Sequence, residues 1–176
     1  EIRGYSRVYP VVFKSAKNAR QTDESGKEYI DFFAGAGVLN FGHNNSRMTE
    51  AMINYMQNDG VLHSLDMQTT AKAEFMQAFT DIILKPRNMP HRMQFMGPTG
   101  TNAVEAAMKL ARRATGRQNI VAFSHGFHGM TLGALAATAN EYFRGASGVP
   151  LQHVTHESFD GEHAGMDSLA ILEAML

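Results

Sequence analysis

A glycine-rich turn between an apolar run and a strong helix restricts the fold of this chain more than any other feature. Residues 93–96 predict a short strand, and they are followed by the turn Gly97-Pro98-Thr99-Gly100-Thr101-Asn102. The next residues predict a helix that ends at Gly116, because their apolar positions recur at helical spacing. Residues 119–123 then predict a buried strand. A strand, a helix and a strand in this order indicate a right-handed parallel crossover, so the predicted fold class is α/β.

The start of this helix is a candidate anion site. The first N–H groups of a helix have no partner within the helix, and they lie at its positive end, so a phosphate can bind there without a charged side chain. Gly100 lets an anion approach the backbone, and Thr101 adds a hydroxyl donor. The alternative is that Thr101 and Asn102 only cap the helix, with Asn102 and Glu105 forming a capping box.

Two nucleotide-binding motifs are excluded at the glycines of this chain. A Walker A loop requires a lysine after its last glycine, and no lysine follows Gly100. The dinucleotide fingerprint requires Gly-x-Gly-x-x-Gly, whereas Asn40 occupies the third glycine position after Gly35-Ala36-Gly37. Neither nucleotide-binding interpretation agrees with the sequence.

A second candidate element, Gly126-Phe127-His128-Gly129, follows the strand predicted at residues 119–123. Ligands of open α/β sheets bind beyond the carboxyl ends of the strands, which is where this loop lies. Phe127 could stack on a flat heterocycle there, and His128 could donate a hydrogen bond beside it. The alternatives are that Phe127 fills the core and that His128 is an ordinary loop histidine. A metal site with His125 and His128 is not favoured, because no acidic residue is near them in sequence.

The remaining elements are predicted from turn residues and helical spacing. A hairpin is expected around residues 23–27, and a helix is expected after Ser46 as its cap, with Gly60 as the left-handed residue at its end. A further helix is predicted from Thr69 or Thr70 towards residue 83, where Pro86 limits it. Residues 130–139 predict a helix of small residues, and Asp167 is expected to cap a last helix.

Composition excludes several classes of function. The net charge of −1 gives no field that favours nucleic acid, and no apolar stretch is long enough to span a membrane. The absence of cysteine excludes disulfides and thiol catalysis, and it agrees with a cytoplasmic location. The chain begins without methionine and ends in a predicted helix that has no stop signal. We therefore expect the polypeptide to continue on both sides.

Three blocks of the sequence resemble the class III aminotransferases of the fold-type-I pyridoxal-phosphate group. They start at Tyr29-Ile30-Asp31-Phe32, Thr99-Gly100-Thr101-Asn102-Ala103 and Phe127-His128-Gly129-Met130-Thr131. Within the family, the chain is most similar to the diaminobutyrate branch of ectoine synthesis. The runs that carry this closer similarity are residues 5–13, residues 97–106 and Phe159-Asp160-Gly161.

The resemblance implies a fold, a cofactor and a reaction. It implies a mostly parallel sheet flanked by helices, with residues 1–60 in the small domain and residues 61–176 in the first part of the large cofactor-binding domain. Pyridoxal 5'-phosphate would bind through its phosphate to Gly100 and Thr101, with Asn102 assisting, and through its ring to Phe127 and His128. Ala36 would contact the substrate. The implied reaction moves the amino group of L-glutamate to L-aspartate 4-semialdehyde, in a homodimer or homotetramer.

No catalytic residue is expected in this chain. Transamination requires a lysine and a carboxylate partner of the pyridine nitrogen, and the resemblance implies that both lie beyond Leu176. Lys109 has the best position among the six lysines, but it lies on a helix beside Arg112 and Arg113 and indicates a solvated face. Two alternatives stay open: a class III enzyme acting on 4-aminobutyrate, ornithine or acetylornithine, and a non-catalytic module on the same scaffold.

Overall fold

The computed structural model describes residues 9–159 and 167–175 of the chain. It divides into two compact units, Glu1–Pro90 and His91–Leu176. Among the described residues, no helix combines the length and the apolar character that crossing a bilayer requires. The similarity runs at residues 5–13 and at Phe159-Asp160-Gly161 fall partly outside the described residues.

The first unit begins with a three-stranded antiparallel sheet in the order β1-β2-β3, formed by Phe13–Lys17, Arg20–Asp23 and Glu28–Ile30. The predicted hairpin is confirmed as β2 and β3, whereas β1 was not predicted. The turn depends on Asp23, whose Oδ1 accepts the Ser25 hydroxyl at 2.6 Å and the Lys27 N–H at 3.0 Å. The Ser25 hydroxyl is the main reason that the pKa of Asp23 lies below its ordinary value, and Tyr29 and Lys27 add to it against the opposing effect of burial.

Two helices follow in the first unit after a single turn, α1 (Ala34–Gly37). Helix α2 covers Ser46–Gln57, and its cap is Asn45, whose side chain accepts the Met48 N–H at 3.3 Å. The prediction of Ser46 as the cap was therefore wrong by one residue, since the Asn45 side chain is the one that reaches back to the first turn.

The end of α2 also differs from its prediction. Asp59, with φ of 55°, is the left-handed residue, and the Gly60 N–H donates to the Tyr55 carbonyl at 3.0 Å. Gly60 is required for a different reason, because a Cβ there would overlap the Tyr55 ring. The glycine of this helix end therefore serves close packing rather than a positive φ.

The next helix, α3 (Thr70–Phe79), begins as predicted, with Thr69 as its cap accepting the Lys72 N–H at 3.1 Å. It continues through a π turn at Thr80–Leu84 into a 3₁₀ turn at Lys85–Arg87 that contains Pro86. The proline ends the helix by this tightening, in agreement with its missing N–H donor.

The second unit is an α/β arrangement with a different crossover from the predicted one. Its elements are α4 (Gly100–Thr115), β4 (Ile120–Phe123), α5 (Leu132–Ala137), α6 (Glu141–Arg144), β5 (Val154–Glu157) and α7 (Ser168–Met175). Strands β4 and β5 pair in parallel. Residues 93–96 are not a strand, because no strand of the described chain pairs with their backbone. The parallel crossover therefore runs from β4 to β5 through α5 and α6.

The core of the second unit joins α4, β4 and α5. Met108, Ala122 and Ala137 are buried together, and Val104, Ile120 and Val154 pack against them. The small side chains of α5 are nearly all buried, which lets this helix lie close to the sheet. Asp167 caps α7 as predicted, since its Oδ1 accepts the Leu169 N–H at 2.9 Å.

Candidate functional site

The first turn of α4 presents two backbone donors beside open space. The backbone N–H groups of Gly100 and Thr101 have no hydrogen-bond partner among the described residues. A Cβ built at Gly100 would meet no other part of the chain within 4 Å. Helix starts of this kind favour anions through unpaired donors and a partial positive charge. The turn can therefore accept a phosphate-sized anion against the backbone.

Asn102 does not cap this helix. Thr99 occupies the cap position with extended backbone, and its hydroxyl donates to Asn102 Oδ1 at 2.5 Å. Asn102 is the third residue of α4, so the predicted capping box of Asn102 and Glu105 was wrong. The helix starts three residues earlier than the box requires, and Glu105 bonds to a different helix.

The loop Gly126-Phe127-His128-Gly129 lies against this first turn. Gly129, with φ of 132°, is so close to Thr101 that a Cβ would overlap the Thr101 side chain. The loop is fixed from behind by Thr138, which is fully buried. Its Oγ1 accepts the His128 N–H at 3.0 Å and donates to the Gly129 carbonyl at 3.0 Å. The structure therefore brings together two motifs that are about 25 residues apart in the chain.

Phe127 is not a core residue. Its side chain is 58% exposed, and its ring contacts the Phe143 ring edge-on, with centroids 5.7 Å apart. An exposed aromatic that a neighbouring ring supports on one side leaves a face for a ligand. His128 is half-buried and lines a cavity of about 460 Å³ together with residues of α4 and β4.

A hydrogen-bond chain connects the first turn of α4 to the start of α5. The Thr101 hydroxyl lies 2.8 Å from the Thr131 hydroxyl, which donates to Glu105 Oε1 at 2.6 Å. The same carboxylate oxygen accepts the Ala134 N–H at 3.0 Å. Burial by itself would raise the pKa of Glu105, but the Thr131 hydroxyl and the Ala134 and Gly133 amides outweigh it, so the net pKa lies below the ordinary value.

Sequence reasoning missed Glu105, Thr131 and Thr138 as structural supports of this site. Thr131 carried a local signal, because a threonine directly before a run of small helix formers is a frequent cap. Its partner Glu105 lies 26 residues away in the chain, so no local pattern connects the two. Thr138 had no signal beyond its polar character at the end of the helix.

Ala36, the predicted substrate contact, belongs to the other unit and lies in a left-handed turn. Ala34, Gly35, Ala36 and Gly37 all have positive φ. Asp31 holds this turn, since its Oδ1 accepts the Phe33 and Ala34 N–H groups at 2.9 Å and its Oδ2 lies 2.7 Å from His43 Nε2. The Ala34 amide, followed by His43, lowers the pKa of Asp31. Two alanines with positive φ therefore depend on an ionised carboxylate.

Metal binding has no support among the described residues. Within residues 9–159 and 167–175, no three histidine or acidic side chains are arranged to hold an ion.

Comparison with known proteins points in one direction. The family model "Aminotransferase class-III" matches residues 3–170. A diaminobutyrate–2-oxoglutarate transaminase of Oceanobacillus iheyensis is 52% identical over 99% of this chain and 41% of its own length. One from Marinococcus halophilus is 54% identical over 91% of this chain and 38% of its own length. The chain thus spans about two fifths of the curated relatives that it matches.

Solved structures agree in fold. An omega transaminase from Pseudomonas jessenii in complex with PMP superposes with a TM-score of 0.76 at 17% identity, covering 99% of this chain and 41% of that one. A transaminase from ancestral reconstruction gives a TM-score of 0.78 at 22% identity, covering 97% and 40%. Both similarities concern the backbone arrangement.

Proposed function

The chain belongs to the class III aminotransferases, and we propose that the intact protein is a pyridoxal-phosphate-dependent diaminobutyrate–2-oxoglutarate transaminase. It moves the amino group of L-glutamate to the aldehyde carbon of L-aspartate 4-semialdehyde, and the products are 2-oxoglutarate and L-2,4-diaminobutyrate. Relatives with this name, more than half identical to the chain, support the choice of substrates.

The observation that carries the proposal is the pair of unpartnered N–H donors at Gly100 and Thr101, beside a loop with an exposed aromatic ring. The donors have no partner among the described residues and the space beside Gly100 is open, so the phosphate of the cofactor fits there without a charged side chain. Phe127 offers its free face to the ring that carries this phosphate, and His128 lies next to it. Asn102, bonded to Thr99, holds the turn that presents the donors.

The cofactor, when bound, supplies an electron sink that stabilises negative charge at the carbon that loses its proton. The residues of this chain contribute orientation and binding. Gly100 and Thr101 fix the phosphate end, Phe127 covers the ring, and Ala36 in its left-handed turn is the proposed substrate contact. The lysine and the ring carboxylate that the reaction requires are proposed to lie outside the chain.

The resemblance to the family supports three further proposals about the intact protein. We propose that it is a homodimer or homotetramer and that it works in the cytoplasm. We also propose that residues 1–60 belong to the small domain and residues 61–176 to the large cofactor-binding domain. Small-molecule substrates and no nucleic acid or membrane partner agree with the net charge of −1.

The proposal is tested by assaying the purified intact protein. Transfer from glutamate to aspartate 4-semialdehyde, measured as 2-oxoglutarate formed, should be faster than transfer from 4-aminobutyrate, ornithine or acetylornithine to 2-oxoglutarate, measured as glutamate formed. A preference for one of those three donors would reject the substrate assignment but leave the enzyme class. Absence of cofactor binding would favour the non-catalytic module.

Two variants test the site itself. Thr101→Ala and Phe127→Ala should each weaken cofactor retention, measured by equilibrium dialysis against pyridoxal phosphate. Phe13→Ala is the matched control for the aromatic change, since Phe13 packs on Tyr29 in the other unit. Unchanged retention in both site variants would overturn the assignment. Residues 1–176 alone are not expected to transaminate.

A further inference from the structure

We propose that Glu105 is a positioning residue for the phosphate-binding turn, and that it acts through Thr131 on Thr101. This inference rests on the proposed function, because the anion it concerns is the phosphate of pyridoxal phosphate. Glu105 does not touch the open space beside Gly100. It fixes the residues that border that space.

The direction of the hydrogen bonds shows how the carboxylate acts. A carboxylate only accepts, so the single proton of the Thr131 hydroxyl is directed to Glu105 Oε1 at 2.6 Å. The Thr131 oxygen can then only accept from the Thr101 hydroxyl, 2.8 Å away. The Thr131 N–H donates to Thr101 Oγ1 at 3.4 Å. Ionised Glu105 thereby sets the orientation of both hydroxyls.

Glu105 and Thr101, the two ends of this hydrogen-bond chain, are each packed tightly against a glycine. A Cβ at Gly133 would overlap the Glu105 carboxylate, and a Cβ at Gly129 would overlap the Thr101 side chain. Glu105 and Thr101 therefore each fill a space that only a glycine leaves open. Removal of the carboxylate would leave both the Thr131 hydroxyl and the Ala134 N–H without their acceptor.

Glu105 affects the binding of the proposed ligand in two ways. Thr101 carries one of the two free N–H donors, so a change in its orientation changes the phosphate contact. Gly129, which packs on Thr101, lies two residues from Phe127. One carboxylate, half-buried between α4 and α5, therefore orients both the donor and the loop that holds the aromatic ring.

The test separates the phosphate contact from general stability by comparing two probes in the intact protein. Pyridoxal phosphate and pyridoxal differ only in the phosphate, so the dissociation constant of pyridoxal divided by that of pyridoxal phosphate is a ratio that measures what the turn contributes. Glu105→Ala should lower this ratio about tenfold, whereas Glu105→Gln, which keeps an acceptor oxygen, should stay within about threefold. Glu74→Ala, which removes an exposed helical carboxylate in the other unit, should leave the ratio unchanged.

A second variant tests the path of the effect. Thr131→Val should lower the ratio about as much as Glu105→Ala, and the double variant should be no worse than either alone, because both remove one connected interaction. Multiplying effects would overturn the inference, as would an equal loss of both probes in Glu105→Ala. Failure of the unaltered protein to bind pyridoxal phosphate would instead reject the proposed function, and the inference with it.

Discussion

Two ionised carboxylates hold two loops in this chain, and they do so at different ranges. Asp31, in the unit Glu1–Pro90, bonds to backbone N–H groups two and three residues ahead and to His43 twelve residues ahead. Glu105, in the unit His91–Leu176, bonds to Thr131 and Ala134, which lie 26 and 29 residues ahead. The first carboxylate stabilises its own turn, whereas the second joins separate elements.

The packing behind the two loops also differs, since among the described residues only the second loop lies in a unit with a buried apolar cluster. The second unit has a buried cluster that joins α4, β4 and α5, and the Glu105 network lies beside it. In the described part of the first unit, the buried residues are Asp23 and Leu84, while aromatic residues next to the turn, such as Phe32, are exposed. The turn at Ala36 is therefore held by local hydrogen bonds, and the loop at Phe127 by tertiary packing.

The largest expected effect is that of a substitution in the packed loop, Gly129→Ala. Gly129→Ala would both overlap Thr101 and force an L side chain to a φ of 132°. Overpacking of about 1–3 kcal/mol and a left-handed penalty of about 1–2 kcal/mol give a destabilisation on the order of 3 kcal/mol. Urea unfolding of the intact protein measures the loss, and pyridoxal phosphate retention should fall with it.

Gly26→Ala is the matched control for this variant. Gly26 has a φ of 89°, but a Cβ there would meet nothing within 4 Å. Only the backbone penalty applies, so the expected loss is about 1 kcal/mol with cofactor retention unchanged. Equal losses in the two variants would show that strain, and not packing on Thr101, governs the loop.

A smaller effect concerns the local turn and its dependence on pH. The Ala34 amide and His43 lower the folded-state pKa of Asp31 below the ordinary 3.8. The stabilisation is then complete above the unfolded-state pKa and is lost as the pH falls through the lowered folded-state value. Asp31→Asn should therefore be less stable than the unaltered protein at neutral pH, and the difference should shrink as the pH falls below 3.8.

Asp81→Asn sharpens this comparison. Asp81 also has a lowered pKa, caused first by Lys85, but both side chains are well exposed. Salt should screen the Asp81–Lys85 pair, while the Asp31–His43 pair, whose side chains are 6% and 19% exposed, should keep its effect in high salt. The readout is the unfolding midpoint at low and high ionic strength. An equal salt response of the two would contradict the distinction.

The contrast between near and distant partners also decides what the sequence could predict. The hairpin at Asp23, the helix start at Thr69 or Thr70 and the cap at Asp167 depend on partners within a few residues, and all three predictions were confirmed. Gly100 and Phe127 could be selected because each motif is itself local. Their contact through Gly129, and the bond from Glu105 to Thr131, depend on how the elements pack.

The wrong predictions also concern residues whose partners are distant in the chain. Residues 93–96 have the composition of a strand, but a strand exists only when another one pairs with it, and pairing is not a local property. Glu105 has the spacing of a capping box, yet the better partner was a distant helix. Local propensity gave the correct element types in most places and failed where tertiary contacts compete with it.

The smallest effect tests the one-residue correction at the start of α2. Asn45 accepts the Met48 N–H, so Asn45→Ala should cost about 0.5–1 kcal/mol in unfolding free energy. Ser46→Ala, at the first helical position, should change it by less than about 0.5 kcal/mol, although Lys17 donates to its hydroxyl at the surface. The reverse order of the two losses would restore Ser46 as the cap. Because the two residues are adjacent, this pair compares the cap position with the first helical position, in the unit that contains neither the packed loop nor Glu105.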